Sequence, residues 1–128
     1  MQTAGLKVSL IDFTLSRLQA GSGEIAFCDL SADPELFQGP KGDVQADTYR
    51  RMRKATRGDW QEHRPKTNAL WLHYLADILL NQKQWGGTMD ELRRLKRFRR
   101  AAMGYASAAE AVWDELFEDL WVSGEEAA

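Results

Sequence analysis

Few side chains in this sequence have the type and spacing that metal binding or catalysis requires. Asp12 follows the apolar run Val8-Ser9-Leu10-Ile11 and precedes an aromatic residue, Phe13. Carboxylate oxygens are hard ligands of the kind that Mg²⁺ prefers, but an Asp that only terminates a strand is common, so the run by itself leaves both interpretations open. His63 and His73 have no second ligand at zinc-like spacing, and we expect neither to bind a metal.

An acidic, turn-rich stretch is the second candidate for function. Between residues 24 and 47 the only base is Lys41, and the stretch contains six acids: Glu24, Asp29, Asp33, Glu35, Asp43 and Asp47. The negative electrostatic potential of such a stretch favours a basic peptide as ligand. The alternative interpretation is an acidic loop that is merely solvated.

Basic residues gather in two further stretches, residues 50–57 and 93–100. The second comprises Arg93, Arg94, Lys96, Arg97, Arg99 and Arg100. It could contact nucleic-acid phosphates, or it could pair with the acids of the last predicted helix, which are Glu110, Asp114, Glu115, Glu118 and Asp119. We favour pairing or a solvated face, because no groove-reading motif supports DNA recognition.

The elements that must position the acidic residues come early in the chain. Leu6 to Ile11 is typical of a short strand, and the Gly21-Ser22-Gly23 turn between apolar runs predicts a hairpin. Residues 29–43 are expected to form a loop. The first helix is predicted to begin near Asp47, as an N-cap, and to end before Arg57-Gly58-Asp59.

Three more helices follow from apolar spacing and capping signals. Thr67 or Asn68 is expected to cap the first of them, whose apolar stripe is Leu70, Trp71, Tyr74, Leu75, Ile78 and Leu79. Thr88 with Glu91, and Ser107 with Glu110, each match a capping box. The apolar face after Thr88 is Met89, Leu92, Leu95, Phe98, Ala102 and Met103. That of the last helix is Val112, Trp113, Leu116, Phe117, Leu120 and Trp121.

Length and composition favour one soluble, intracellular domain over residues 1–128. Of the 128 residues 44% are hydrophobic, and the formal net charge is −2. The single cysteine, Cys28, excludes an internal disulfide. No stretch is long enough to span a bilayer, so no membrane partner is expected. The predicted fold is mainly α, with a short N-terminal β element before about four helices, a plausible stop at Gly124 and a frayed tail at 123–128.

Four ordered segments together resemble the C-terminal lobe of haspin-type Ser/Thr protein kinases. They are KVSLIDFTLSR (7–17), FCDLSADPELF (27–37), DTYRRMRKATRGDWQEHRP (47–65) and TNALWLHYLADILL (67–80). The resemblance is close from Leu6 to about Leu80 and looser beyond. Haspins carry Asp-Tyr-Thr where most kinases carry Asp-Phe-Gly. Asp12-Phe13-Thr14 shares the Thr and replaces the Tyr by Phe.

The resemblance implies a role for each matched residue. Asp12 would hold the Mg²⁺ of ATP at the end of its strand, with Phe13 anchoring the turn in the core and Thr14 completing the motif. Asp33 and Glu35 would help to hold a basic histone tail.

Two further acids are matched less simply. Asp43 is a weaker substrate-binding match, because the sequence carries extra residues around Gly39 to Gly42. As a separate departure from the family, Pro34 stands where haspins have an acid. Asp47 would brace the backbone of the catalytic loop, although a plain N-cap is an equal alternative. Both of its interpretations are architectural.

The resemblance also implies the parent enzyme: transfer of the ATP γ-phosphate to a threonine of a histone tail, on chromatin in the nucleus, during mitosis. The sequence has no glycine-rich phosphate loop and no His-Arg-Asp catalytic loop, and the general base would lie upstream of Met1. We therefore expect this chain to hold no catalytic base, to bind neither ATP nor Mg²⁺ tightly, and to be inactive alone. The alternatives are a non-catalytic module that binds a basic peptide through the acidic stretch and, less favoured, a nucleic-acid binder.

Overall fold

A computed structural model describes residues 5–83 and 86–121 and is mostly helical. Strands β1 (Leu18–Gln19) and β2 (Ile25–Ala26) come first, followed by two 3₁₀ helices, Leu30–Ala32 and Pro34–Phe37. The α-helices are α1 (Val44–Thr56), α2 (Lys66–Asn81), α3 (Met89–Ala102) and α4 (Ala108–Ala111), and a 3₁₀ helix spans Glu115–Leu120. The expected mainly α fold with a small β element near the N-terminus is confirmed.

The β element is the hairpin and not the first apolar run. β1 and β2 pair antiparallel, with Leu18 opposite Ala26, around the expected glycine turn. The strand expected at Leu6–Ile11 is wrong: the segment has no regular structure, and Val8 is 86% exposed. A strand is stable only when its backbone groups pair, and within the described ranges the only sheet is β1–β2.

Helix α1 begins earlier than expected, because Asp43 and not Asp47 is its cap. The Asp43 Oδ1 accepts a hydrogen bond from the Ala46 amide at 2.9 Å, and Asp47 lies in the first turn. The end is as expected: the helix stops at Thr56, and Arg57 takes a left-handed conformation with φ 56°.

Helix α2 has no side-chain cap. Its N-cap is Pro65, so the expected caps Thr67 and Asn68 lie inside the first turn. Proline is favoured at a helix start because its φ is already helical. Leu75 and Leu79 of the predicted stripe are exposed, whereas Leu70 and Ala76 are buried.

Helix α3 has the predicted capping box. The Thr88 hydroxyl accepts from the Glu91 amide at 3.2 Å, and the Glu91 carboxylate accepts from the Thr88 amide at 2.8 Å. Leu95, Phe98 and Ala102 are buried as expected, but the ends of the stripe, Met89 and Met103, are exposed.

The prediction of one long last helix is wrong, because this segment forms a short α-helix and a separate 3₁₀ helix. Ser107 caps α4 by accepting from the Glu110 amide at 3.0 Å, but the Glu110 carboxylate accepts from Ala106 and not from Ser107, so the second capping box is incomplete. α4 ends after a single turn because Asp114 caps a new 3₁₀ helix. Trp113 is consequently 74% exposed, and Leu120 and Trp121 are exposed as well. Gly124 and the tail at 123–128 lie outside the described residues.

In the part of the chain that the structure describes, two hydrophobic clusters make up the core, and α2 contributes to both. The first is Leu30, Phe37, Tyr49, Met52, Trp60 and Leu70. The second is Ala76, Leu95, Phe98, Ala102 and Ala111. The first cluster lies under the acidic stretch and therefore positions the candidate site.

Candidate functional site

Asp12 lies on the rim of a hollow and its carboxylate is accessible. The hollow, about 290 Å³, is lined by Asp12 and Thr14 together with Leu30, Tyr49 and Met52 of the first cluster, among others. Asp12 has a left-handed backbone with φ 62°. Such a conformation is uncommon for a residue other than glycine and concentrates at functional sites.

The other two residues of the motif behave differently from each other. The Thr14 hydroxyl donates to the Asp12 Oδ1 at 2.9 Å and so fixes the carboxylate. Phe13 was expected to anchor the turn in the core, but its ring is 63% exposed. The ring instead borders a second, largely apolar hollow of about 730 Å³, whose lining includes Leu18, Cys28 and Trp60. The expected anchoring therefore does not occur among the described residues.

We define the acidic loop as residues 29–43. Asp33 stands between the two 3₁₀ helices and Glu35 lies in the second; both are exposed, and neither forms an ion pair within residues 5–83 and 86–121. Leu30 and Phe37 flank these acids and are buried in the first cluster. The loop therefore holds two free carboxylates between two fixed points.

Asp33 also acts electrostatically on its surroundings. Burial raises the pKa of the Tyr49 hydroxyl, and the nearby Tyr74 and Asp33 raise it further. The negative charge of Asp33 thus reaches the first cluster at Tyr49, although Asp33 itself is in solvent.

Asp43 and Asp47 both stabilise the end of the acidic loop. Asp43 caps α1 through one carboxylate oxygen. Asp47 accepts from the Gly42 amide at 3.0 Å and pairs with Arg50 at 2.5 Å. Arg50 in turn donates from Nε to the Phe37 carbonyl at 3.0 Å. Of the two interpretations of Asp47, the N-cap is therefore wrong, and its contacts brace this loop. The catalytic loop implied by the resemblance is not part of the sequence.

Three residues that support the acidic loop were not singled out from the sequence for this role. In the sequence Arg50 is only one member of the basic stretch 50–57, and nothing local marks Trp60 or Ser31. Each acts through a contact between segments that are distant in sequence, such as Arg50 with Phe37, and no local spacing announces such contacts.

The basic helix α3 is largely neutralised. Arg94 pairs with Asp119 at 3.1 Å and Arg97 with Glu115 at 3.0 Å, which confirms the predicted pairing with the acidic C-terminal segment. Arg99 pairs with Asp77 of α2 at 3.1 Å. The expectation that the chain does not bind nucleic acid directly stays a prediction.

The described ranges, 5–83 and 86–121, contain neither a candidate membrane span nor a clustered metal site. No helix there combines the length and apolar character needed to cross a membrane. No group of three or more His, Cys, Asp or Glu side chains there is arranged to hold a metal ion. Asp12 therefore does not belong to a cluster of three or more such side chains in that part of the chain.

Comparison with known proteins decides the family. Residues 2–110 match the family described as "Haspin like kinase domain". The chain belongs to the haspin kinase family. It is 45% identical over 120 residues to the Ser/Thr-protein kinase haspin homolog of Arabidopsis thaliana, an alignment that covers 94% of this chain and 20% of that protein.

Other haspins give the same relation. The haspin of Mus musculus is 42% identical over 114 residues, which is 84% of this chain and 15% of the mouse protein. A homolog from Schizosaccharomyces pombe is 44% identical over 94 residues, which is 73% of this chain and 19% of that protein. The chain thus spans a fifth or less of the length of these haspin relatives. It is a haspin-like Ser/Thr kinase fragment.

Proposed function

We propose that this haspin-like fragment serves a parent enzyme that transfers the γ-phosphoryl group of ATP to a threonine in a core histone tail. The observation that carries the proposal is that two acidic features lie beside the first hydrophobic cluster. One is the accessible carboxylate of Asp12, and the other is the exposed acidic loop. One feature suits a nucleotide-bound cation and the other a cationic peptide. The parent would act on chromatin in the nucleus.

Asp12 suits a Mg²⁺ that is shared with a nucleotide. Mg²⁺ takes few protein carboxylates and completes its shell with water and phosphate oxygens. The Asp12 carboxylate offers this single hard ligand, and the hydrogen bond from Thr14 orients it. When bound, the ion would neutralise phosphate charge during phosphoryl transfer. We propose this role in the parent enzyme, and no tight binding of ATP or Mg²⁺ by this chain alone.

Asp33 and Glu35 would attract the tail. Their exposure and lack of ion pairs within the described part of the chain leave both carboxylates available to Lys or Arg. Such steering weakens with salt, because exposed charges are screened beyond about 10 Å at 0.1 M ionic strength. Asp43 has one oxygen engaged as a cap, so its proposed contribution to binding is smaller. We propose no direct contact with nucleic acid and none with a membrane.

The chain by itself is proposed to lack kinase activity. Phosphoryl transfer depends on several groups that position and neutralise the reactants together. The sequence contains neither a glycine-rich phosphate loop nor a His-Arg-Asp motif. The general base of the parent would come from a segment that precedes these residues.

One pair of assays tests the proposal. We expect the chain to bind an unmodified histone-tail peptide in a salt-sensitive way, and Asp33→Asn to weaken this binding. We expect no phosphorylation of that peptide with Mg²⁺-ATP. Turnover that Asp12→Ala abolishes would refute the inactivity, whereas a peptide with its Lys and Arg replaced by Gln that binds equally well would refute the role of the acidic loop.

A non-catalytic peptide-binding module is the second candidate. It is favoured by the buried anchors of the acidic loop, Leu30 and Phe37, which pack against helices of this chain. Both candidates predict peptide binding. Only the kinase predicts nucleotide-dependent metal binding at Asp12 once the chain is joined to the preceding part of a haspin domain.

A further inference from the structure

The side chain of Trp60, in the segment after α1, forms a hydrogen bond with the acidic loop. The indole Nε1 of Trp60 donates to the Ser31 hydroxyl at 2.8 Å. Trp60 is only 8% exposed, whereas Ser31 lies at the surface, two residues before Asp33. A buried donor thus holds an exposed part of the loop.

The segment that carries Trp60 is itself fixed. The Asp59 Oδ1 accepts from the Gln61 and Glu62 amides at 3.2 and 3.3 Å, so the backbone turns around Trp60. Arg17, next to β1, donates to the Gln61 carbonyl at 2.6 Å. Because its backbone is held on both sides, the indole can act as a fixed support.

The Ser31 side of this contact is organised as well. The Asp29 carboxylate accepts from the Ser31 amide at 3.0 Å, and the amides of Ala32 and Asp33 donate to the Asp29 and Leu30 carbonyls at 3.0 and 3.1 Å. Ser31 therefore transmits the position of the indole to the backbone of Asp33. At the other end, Arg50 holds the Phe37 carbonyl.

We infer that Trp60, acting through the Ser31 hydroxyl, is a positioning residue that pre-organises Asp33 and Glu35 for a cationic peptide. The inference rests on the proposed function of the acidic loop. A loop that is already ordered loses less conformational entropy on binding, and affinity rises for that reason. The indole does not contact the peptide. It acts only on the loop backbone that bears Asp33 and Glu35.

The test uses exposed Ser31, because its replacement removes no apolar side chain from the core. Ser31→Ala removes the acceptor, and we expect it to weaken binding of the histone-tail peptide about fivefold, as loss of one hydrogen bond implies. Ser31→Thr keeps a hydroxyl and should restore binding. Ser22→Ala, in the hairpin turn, is the matched control and should bind like the wild type.

A second variant and a second measurement separate positioning from simple destabilisation. Trp60→Phe should weaken binding as Ser31→Ala does, and the double variant should be no weaker than either single one. Hydrogen exchange of the free chain should quicken at the Ala32 and Asp33 amides in Ser31→Ala.

Different results would refute the proposed function of the acidic loop and the positioning role of Trp60. A wild-type chain that does not bind the peptide would refute the proposed function of the loop. Unchanged exchange at Ala32 and Asp33 would overturn the positioning role, whether or not the peptide binds. Peptide binding that is equal in Ser31→Ala and the wild type, or strictly additive losses in the double variant, would overturn it too.

Discussion

Replacing Phe37 by alanine should destabilise the protein far more than the same change at Phe13. Phe37 is 8% exposed, and its ring meets Tyr49 edge-on at 6.3 Å and Trp60 at 6.3 Å. The Arg53 guanidinium lies 4.3 Å from the ring centre. Burial of this kind implies a loss of about 3–5 kcal/mol in the free energy of unfolding.

This loss is large relative to the whole stability, which is about 5–15 kcal/mol for a natural domain. Phe13→Ala is the matched control, because its ring is 63% exposed and surface changes alter stability by less than about 0.5 kcal/mol. If Phe37→Ala does not fold, Phe37→Leu should still fold and lose about 1 kcal/mol, since it retains most of the apolar volume.

Urea denaturation followed by circular dichroism measures both variants. The transition midpoint should fall for Phe37→Ala while the slope of free energy against urea stays that of the wild type. Equal midpoints for Phe37→Ala and Phe13→Ala would refute the assignment of Phe37 to the core. A loss of about 2 kcal/mol or more in Phe13→Ala would instead mean that the Phe13 ring packs into the core of the folded protein.

Two further predictions concern the C-terminal half. Thr88→Ala removes the capping box of α3 and should lower the free energy of unfolding by about 1 kcal/mol, while Thr88→Ser should be close to neutral in the same urea titration. The hydrogen bond from Tyr105 to Asp114 raises the pKa of Tyr105 from 10.0 to about 12. The folded protein therefore binds this proton more tightly, so its stabilisation is complete below pH 10 and is lost as pH rises through 12. Between about pH 9 and about pH 12, the free energy of unfolding should therefore fall less in Tyr105→Phe than in the wild type. An equal fall in the two proteins would contradict this role of Tyr105.

Local signals made part of the fold predictable. The Thr88–Glu91 capping box needs only residues three apart, and the Gly21-Ser22-Gly23 turn needs only its neighbours. Both appear where the sequence predicted them. Helix α1 starts a few residues before the predicted position, because Asp43 and Asp47 both have a side chain that can cap a helix and only the contact with Ala46 distinguishes them.

Elements whose stability depends on distant partners were harder to predict. The run Leu6–Ile11 has the composition of a strand, but a strand also requires a neighbour, and hydrophobicity does not reveal whether one exists. The last helix failed for a different reason: Asp114 satisfies local backbone groups and diverts the chain, so that Trp113 leaves the apolar stripe.

In the candidate site, too, the local features could be predicted from the sequence and the long-range contacts could not. The acids Asp33 and Glu35 are visible in the sequence, because charge clustering is a property of neighbours. Their supports are not: Trp60 lies 29 residues from Ser31, and Arg50 lies 13 residues from Phe37. Contacts over such distances are created by the fold.

The arrangement of the two hydrophobic clusters determines how a change in one half of the molecule can reach the acidic loop. The loop rests on the first cluster, whereas the charge pairs of α3 lie by the second. Helix α2 supplies Leu70 to the first cluster and Ala76 to the second, less than two helical turns apart. A change at Phe98 must therefore pass through α2 to affect Asp33, whereas a change at Phe37 acts on the loop directly. We accordingly expect changes in the second cluster to reduce stability with little effect on peptide affinity, so long as α2 remains folded.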